Sequence, residues 1–493
     1  MNMLSTLMIG SLAVPLLALS AAVPPSSNSI LDARRIPLTH TPHAKRVGPD
    51  GTVRGWAPRE KAKTESKYAT RLAPNSATKR DGMATLQDYY IDAAYSASVS
   101  IGTPAQEFYL LLDTGSADLF IVGSSCDSSC SGLTTWDPTS SSTYTNESTA
   151  FEITYGSGDA SGYLVSDTVS LAGISETSQT LAVVTEISSG LLSSPLSGIM
   201  GMGFEALSSS NSVPWWQAES STWTSKVFAF ELARYRNIAT ATDFETQGGY
   251  IDLGALNASH YSGDVNYITC SAQTYWEIPV SGLSVEGTSI DISISSTSSS
   301  SSKSSSSSST PQAAIDTGTT MISVTTTVAA AVYAAISGSS AMTESGYEGY
   351  YEYPCSSSVN ISLTFGDITY TIDPDDFNIG ALDSQGTSCL GGIYGSDLDS
   401  TVDWIIGDTF LKNVYSVYSY SGTTTGSQVG FASLADGSTV STGSASTTNS
   451  STSSSSSNSS SSSTSGASSL IRSKTCIAGL LIIVLTAGTI ILI

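Results

Sequence analysis

The sequence predicts an all-β chain folded as two similar lobes, and three observations carry that expectation. Between Asp81 and about Leu434, short runs alternate apolar with polar residues and are separated by turn residues, as in Ala94–Ile101, Phe108–Leu112, Tyr267–Thr269 and Val414–Ser419. This is the period-two pattern of half-buried strands. Helical signal is sparse, and the alanine-bearing stretch Thr327–Ile336 is its clearest instance. The third observation is a repeat. Leu110-Leu-Leu-Asp-Thr-Gly-Ser116 returns as Ala313-Ala-Ile-Asp-Thr-Gly-Thr319, and each copy is followed further on by two apolar residues and a glycine, Ile199-Met200-Gly201 and Ile405-Ile406-Gly407. A duplicated strand–turn unit implies two lobes of one design. At 493 residues the chain is long enough for each lobe to have its own core.

The order of segments follows from composition. Residues 1–20 run apolar through Leu4, Leu7, Leu12 and Leu16 into small residues, as a secretory signal does. A first transmembrane helix is the alternative, but its apolar core would be short and broken by Pro15. Residues 21–80 are basic: up to Arg80 the chain holds 12 Lys or Arg against 4 Asp or Glu, and the remaining 7 basic and 38 acidic residues leave the rest at a net −31. The dibasic pair Lys79-Arg80 marks the expected cleavage point of a propeptide held on an acidic body by charge. An acidic body also argues against nucleic acid as a partner, since phosphates call for a basic face.

The first lobe is expected over 81–255 and the second over 256–437, with a serine-rich surface insertion at 295–310. A Ser/Thr-rich stalk then covers 438–466, and 467–493 reads as a glycolipid (GPI) anchor signal. The small residues Ser465, Gly466 and Ala467, with Ser465 as attachment residue, precede a polar spacer containing Arg472 and Lys474 and then the apolar run Cys476–Ile493. A retained single-span helix is the alternative, and either reading faces the protein outward on a membrane or cell wall. Asn146, Asn257, Asn360, Asn449 and Asn458 each begin a glycosylation sequon. In an oxidising compartment Cys126–Cys130 and Cys355–Cys389 are the economical disulfides, which leaves Cys270 buried and inert or paired between chains.

The repeat also restricts the chemistry. Of three histidines, His40 and His43 lie in the basic leader and only His260 in the body, so a Ser/His/Asp mechanism lacks its parts, and no His-Glu-x-x-His cluster offers a metal site. No cofactor is called for. Carboxylates remain. Asp113 and Asp316 each follow an apolar strand and precede Thr-Gly, on a turn that admits close approach of another backbone. Two such turns facing one another would bring the carboxylates within hydrogen-bond reach, where both cannot ionise and the pair shares a proton. The ionised member would deprotonate water while the protonated one polarises a scissile carbonyl.

These residues resemble the pepsin-like aspartic proteases over nearly the whole body, and the closest group in composition of ends is the fungal, GPI-anchored, yapsin-like branch. The resemblance implies a bilobal pepsin-like fold with a cleft between pseudo-twofold-related lobes. It also implies a monomeric endopeptidase of acidic optimum acting on polypeptides, inhibited by its own propeptide, whose start Ile36-Pro37-Leu38 resembles. It makes Asp113 and Asp316 the dyad, supported by Thr114, Gly115, Ser116, Thr317, Gly318 and Thr319, with Ser116 and Thr319 bonding the outer carboxylate oxygens. Ile153-Thr-Tyr-Gly-Ser-Gly158 is similar to the family's flap, so Tyr155, Gly156 and Ser157 would contact substrate. Trp404-Ile-Ile-Gly-Asp-Thr-Phe410 is similar to the segment supporting the second aspartate, and Asp408 matches an Asp usual in acid-active members. Two positions depart from the pattern. Phe120 stands where the family usually has Trp, which removes an indole hydrogen bond to the flap tyrosine, and Ser197 stands where Asp is common. The competing reading from another class is a catalytically silent surface glycoprotein on the same scaffold.

Overall fold

A computed structural model describes residues 80–443, except 90, 156–157, 189, 237, 239, 295–309, 346, 399–401, 424 and 439–440. All of them lie in the unit Pro74–Ile493. The expected signal, the leader up to Lys79, the glycine and serine of the flap tip, most of the serine-rich insertion, and the stalk and anchor beyond 443 (with Asn449, Asn458 and Ser465) lie outside the described residues.

Strands dominate. The first lobe contains β1 (Gly82–Tyr89), β2 (Ala94–Ile101), β3 (Gln106–Asp113), β4 (Leu119–Val122), β5 (Thr145–Tyr155), β6 (Gly158–Leu171), β7 (Ile174–Ile187), β8 (Leu196–Gly201) and β9 (Val227–Leu232). The sequence pattern explains them directly: β2 buries the alternate residues Tyr95, Ala97, Val99 and Ile101, and Ser96 on the other face is buried as well. In β5, Phe151 and Ile153 are buried while Glu152 and Thr154 face solvent. The longest helix among the described residues, Thr326–Ala334, falls on the expected stretch and buries Val328, Ala329, Val332 and Tyr333.

The repeat in sequence is a repeat in topology. Strand β8 runs between β3 and β4, parallel to the first and antiparallel to the second, with Asp113 opposite Gly201. In the second lobe Trp404–Ile406 runs between Gln312–Ile315 and Ile322–Val324 in the same two senses. Glycine is required where these strands pass the turns. A β-carbon on Gly201 would stand 2.4 Å from the Ala117 carbonyl carbon, and one on Gly407 2.0 Å from the Thr319 oxygen.

The lobes do not hold separate cores as the length alone led one to expect. One apolar cluster includes Leu110 and Met200 of the first and Ile315, Trp404 and Phe431 of the second. The reason is a shared sheet: β1 pairs with Gly249–Leu253 and with β2, and β9 pairs with both Gly249–Leu253 and Tyr415–Ser419. Aromatic packing closes the seam beneath the two turns. Phe204 lies 4.2 Å from Trp276 between ring centroids, and the Trp276 indole donates to the Met202 carbonyl at 2.9 Å. Disulfides join Cys126 to Cys130 and Cys355 to Cys389. Cys270 is free and half-buried, its thiol pushed up to about 12 by burial and then by Glu277, so it is not a thiolate at neutral pH.

Candidate active site

The two Asp-Thr-Gly turns meet at the lobe boundary. Strand β3 delivers Asp113 and the strand Gln312–Ile315 delivers Asp316, and both side chains are buried, at 6% and 9% exposure. Their hydrogen bonds mirror each other. Gly115 N–H donates to Asp113 Oδ1 at 2.9 Å and the Ser116 hydroxyl to Asp113 Oδ2. Gly318 N–H donates to Asp316 Oδ1 at 2.8 Å and the Thr319 hydroxyl to Asp316 Oδ2 at 2.6 Å.

The threonines lock the turns across the boundary. Thr114 N–H donates to Thr317 Oγ1 at 3.2 Å and Thr317 N–H to Thr114 Oγ1 at 3.0 Å. Each hydroxyl then donates into the opposite strand: Thr114 to the Ile315 carbonyl at 2.8 Å, Thr317 to the Leu112 carbonyl at 2.6 Å. Buried donors and acceptors are thus all paired, and removing one strands the others. The glycines leave room for the facing carboxyl groups: a β-carbon on Gly115 would stand 2.6 Å from Asp316 Oδ2, and one on Gly318 2.2 Å from Asp113 Oδ1.

Each aspartate's carboxyl group lies against the glycine of the opposite turn, and the Asp113 carboxyl is held well above the usual carboxylate range, by burial first and the charge of Asp316 second. Donation from Ser116 and Gly115 opposes this and stabilises the anion. A pair so placed can carry one proton between two sites and act as base and acid at once.

Tyr155 ends β5 opposite Gly158, on the hairpin next to this pair; Gly156 and Ser157 lie outside the described residues. Its ring meets Phe120 at 6.1 Å between centroids, and among the described residues its buried hydroxyl has no hydrogen-bond partner. That is the consequence expected of a phenylalanine at position 120. Ser197, the other departure, is buried with an unpartnered hydroxyl.

Sequence reasoning singled out Asp408 but missed the other supports around the turns. Asp118, two residues past Ser116, is buried and accepts from Ser208 Oγ at 3.0 Å, Ser209 N–H at 2.7 Å and Ser210 N–H at 3.1 Å, pinning the segment beyond β8 to the first turn. Asp408 is buried with both oxygens unpartnered among the described residues, and burial pushes its carboxyl well above the usual range, Lys412 opposing. Lys412 Nζ bridges the lobes, 3.3 Å from Asp92 and 3.0 Å from Asp376, which Arg234 also holds at 2.8 Å. Beside it Asp88 accepts from Asp92 N–H at 2.9 Å, and its carboxyl is pushed up to about 8 by burial and by Asp92. Thr320 donates to the Ala93 carbonyl at 2.6 Å, linking this charged seam to the second turn.

The family model for eukaryotic aspartyl proteases matches residues 94–434. The chain is 40% identical to Major aspartyl peptidase 1 of Cryptococcus neoformans var. grubii, over 88% of this chain and 90% of that protein. It is 35% identical to an aspartic protease of Phaffia rhodozyma, over 76% and 85% of the two chains, and 30% identical to bovine (Bos taurus) Pepsin A, over 70% and 86%.

Proposed function

The chain belongs to the eukaryotic aspartyl proteases and is an aspartic-type endopeptidase acting on polypeptides, and from that premise we propose that Asp113 and Asp316 are its catalytic pair. The observation that carries the assignment is the opposition of the two turns, each glycine lying against the other aspartate's carboxyl group, with the Asp113 carboxyl raised by burial and by Asp316. One carboxylate takes a proton from water while its partner, still protonated, donates to the scissile carbonyl; the resulting diol collapses with proton transfer to the amine. Ser116 and Thr319 hold the outer oxygens so that the inner ones face the substrate. Tyr155, with Gly156 and Ser157, covers the bound peptide. Because one member must stay protonated, activity belongs to acidic pH.

The same proposal covers the ends and the divisions of the chain. Residues 1–20 direct export, 21–80 act as an inhibitory propeptide released at Lys79-Arg80, and 81–255 and 256–437 are the two lobes. Segment 438–466 is a glycosylated stalk, and 467–493 is exchanged for a GPI anchor at Ser465. The opposite charges of leader and body, the sequons Asn146, Asn257 and Asn360 in the lobes and the terminal apolar run support this reading.

The test of the pair is cleavage of a denatured protein between pH 3 and 6 by the wild-type enzyme, with loss of activity to background in Asp113→Asn and Asp316→Asn. Full activity in either variant overturns the assignment. Release from intact cells by a phosphatidylinositol-specific phospholipase tests the anchor, and retention after complete lipase treatment counts against it.

A further inference from the structure

An open cavity of about 220 Å³ lies in the second lobe, and its walls include Glu286, Ile336, Ser337, Ser357, Ser358 and Val359. Each wall is fixed by local chemistry. Glu286 and Gly287, at φ +49° and +74°, make the two-residue turn that joins Gly282–Val285 to Thr288–Ile290. Ile336 and Ser337 follow the helix Thr326–Ala334, and Ile336 N–H donates to the Tyr333 carbonyl at 3.0 Å. Ser357 N–H donates to the Pro354 carbonyl at 2.9 Å, in a turn that the Cys355–Cys389 disulfide ties to the strand Ser388–Gly391. The lining is apolar where Ile336 and Val359 are buried, and polar where Glu286, Ser337 and Ser358 are exposed.

Asn360, which opens the sequon Asn360-Ile361-Ser362, adjoins this cavity through two of its walls. It follows Val359 in the chain, and Glu286 holds it in place. Asn360 N–H donates to Glu286 Oε1 at 2.7 Å and Asn360 Nδ2 to Glu286 Oε2 at 3.3 Å, while Glu286 N–H donates to the Asn360 carbonyl at 2.8 Å. One carboxylate thus keeps the exposed amide of the sequon against the cavity. Attachment of a glycan takes one hydrogen from Nδ2 as C1 of the sugar leaves its lipid pyrophosphate, and the other hydrogen remains for Glu286. Clefts that hold drug-sized ligands measure about 300–1,000 Å³, so about 220 Å³ has room for a single sugar ring and not for a branched chain. The other two sequons of the lobes are placed differently. Asn146 is exposed on β5, and Asn257 Nδ2 meets His260 Nε2 at 3.2 Å.

Resting on the export proposed above, we propose that this cavity seats the first N-acetylglucosamine of a glycan on Asn360. The ring C–H groups and the acetyl methyl pack on Ile336 and Val359, and the hydroxyls and acetamide bond to Glu286 and the serines. The seated sugar staples the Glu286–Gly287 turn to the disulfide-held segment and to the end of the helix.

The test is release of glycans from the folded, secreted protein by peptide-N-glycosidase F, followed site by site with mass spectrometry. A seated sugar hides its bond to Nδ2, so the amidase acts only on the unseated fraction, and release from Asn360 should be slower than from Asn146 by about tenfold or more. Denaturation should abolish the difference. Ser358→Phe places a ring in the cavity and should bring release from Asn360 to the Asn146 rate; if it does not fold, Ser337→Phe reads the same seat from the opposite wall. Equal rates in the wild type, a difference that survives filling of the cavity, or a bare Asn360 beside a modified Asn146 overturns the seat. Absence of sugar from every sequon would count against export itself, and the seat would fall with it.

Discussion

Gly318 lies against Asp113 so closely that a single added β-carbon would stand 2.2 Å from the carboxylate oxygen Oδ1. Nothing there can yield cheaply, because Asp113 is held by Gly115 and Ser116 and its turn by Thr317. Gly318→Ala should therefore push the two carboxyl groups apart and leave most of the protein intact. Displacement of reacting groups by about 1 Å costs on the order of a hundredfold in rate, so kcat should fall at least that far. The check is kcat with a thermal melt alongside; an active Gly318→Ala enzyme would refute the shared-proton arrangement.

The threonine lock makes a prediction about coupling. Thr114 and Thr317 bond to each other's backbone and each donates to the other lobe's strand, so the loss of one hydroxyl leaves partners on both sides unsatisfied. Thr114→Val and Thr317→Val should each destabilise by about 1–3 kcal/mol, as expected for an orphaned buried polar group. The double variant should cost less than the sum, since the second change removes groups already stranded. Denaturant unfolding of the four proteins measures the coupling energy, and strict additivity would show the lock to be two independent contacts.

Much of this site was legible because it is local and doubled. Asp113-Thr-Gly-Ser116 and Asp316-Thr-Gly-Thr319 carry their own turn chemistry, and the glycines Gly201 and Gly407 mark where a strand must pass a turn. Phe120 in place of Trp was enough to predict the loss of an indole hydrogen bond to Tyr155, whose hydroxyl has no partner among the described residues. The charged seam was not legible. Lys412 meets Asp92 across 320 positions of sequence, and neither residue sits in a pattern that names the other. The shared core was missed for the same reason: strand alternation tells which face is buried, not which sheet the strand joins.

Asp88 sets a pH dependence of stability whose sign is fixed. Its folded pKa of about 8 lies above the ordinary carboxylate value of 3.8, and among the described residues its Oδ2 has no partner to stabilise the anion. The folded state thus holds a proton that the unfolded chain releases from about pH 4 upward. The contribution is fully present below pH 4 and declines as pH rises toward about 8, with a slope of up to about 1.4 kcal/mol per pH unit from this one group. Asp88→Asn preserves an acceptor for Asp92 N–H and removes the ionisation. Thermal melts from pH 4 to 8 should fall steeply in the wild type and more gently in the variant; parallel curves would dismiss Asp88 as the source.

The orphaned Tyr155 hydroxyl separates the two parts of that side chain. Its ring packs on Phe120 and on the apolar patch around it, while the buried hydroxyl has no hydrogen bond among the described residues. A buried polar atom already unsatisfied contributes nothing when removed, so Tyr155→Phe should change kcat/KM by less than about threefold and should not destabilise, in contrast to the cost of removing a bonded hydroxyl. Tyr155→Ala removes the ring that the hairpin lays against Phe120 and should raise KM and lower kcat together, as expected when a cover over the cleft loses its anchor. Steady-state kinetics of both variants at a fixed acidic pH decide the matter. A large loss in Tyr155→Phe would mean that the hydroxyl gains a partner once substrate is bound.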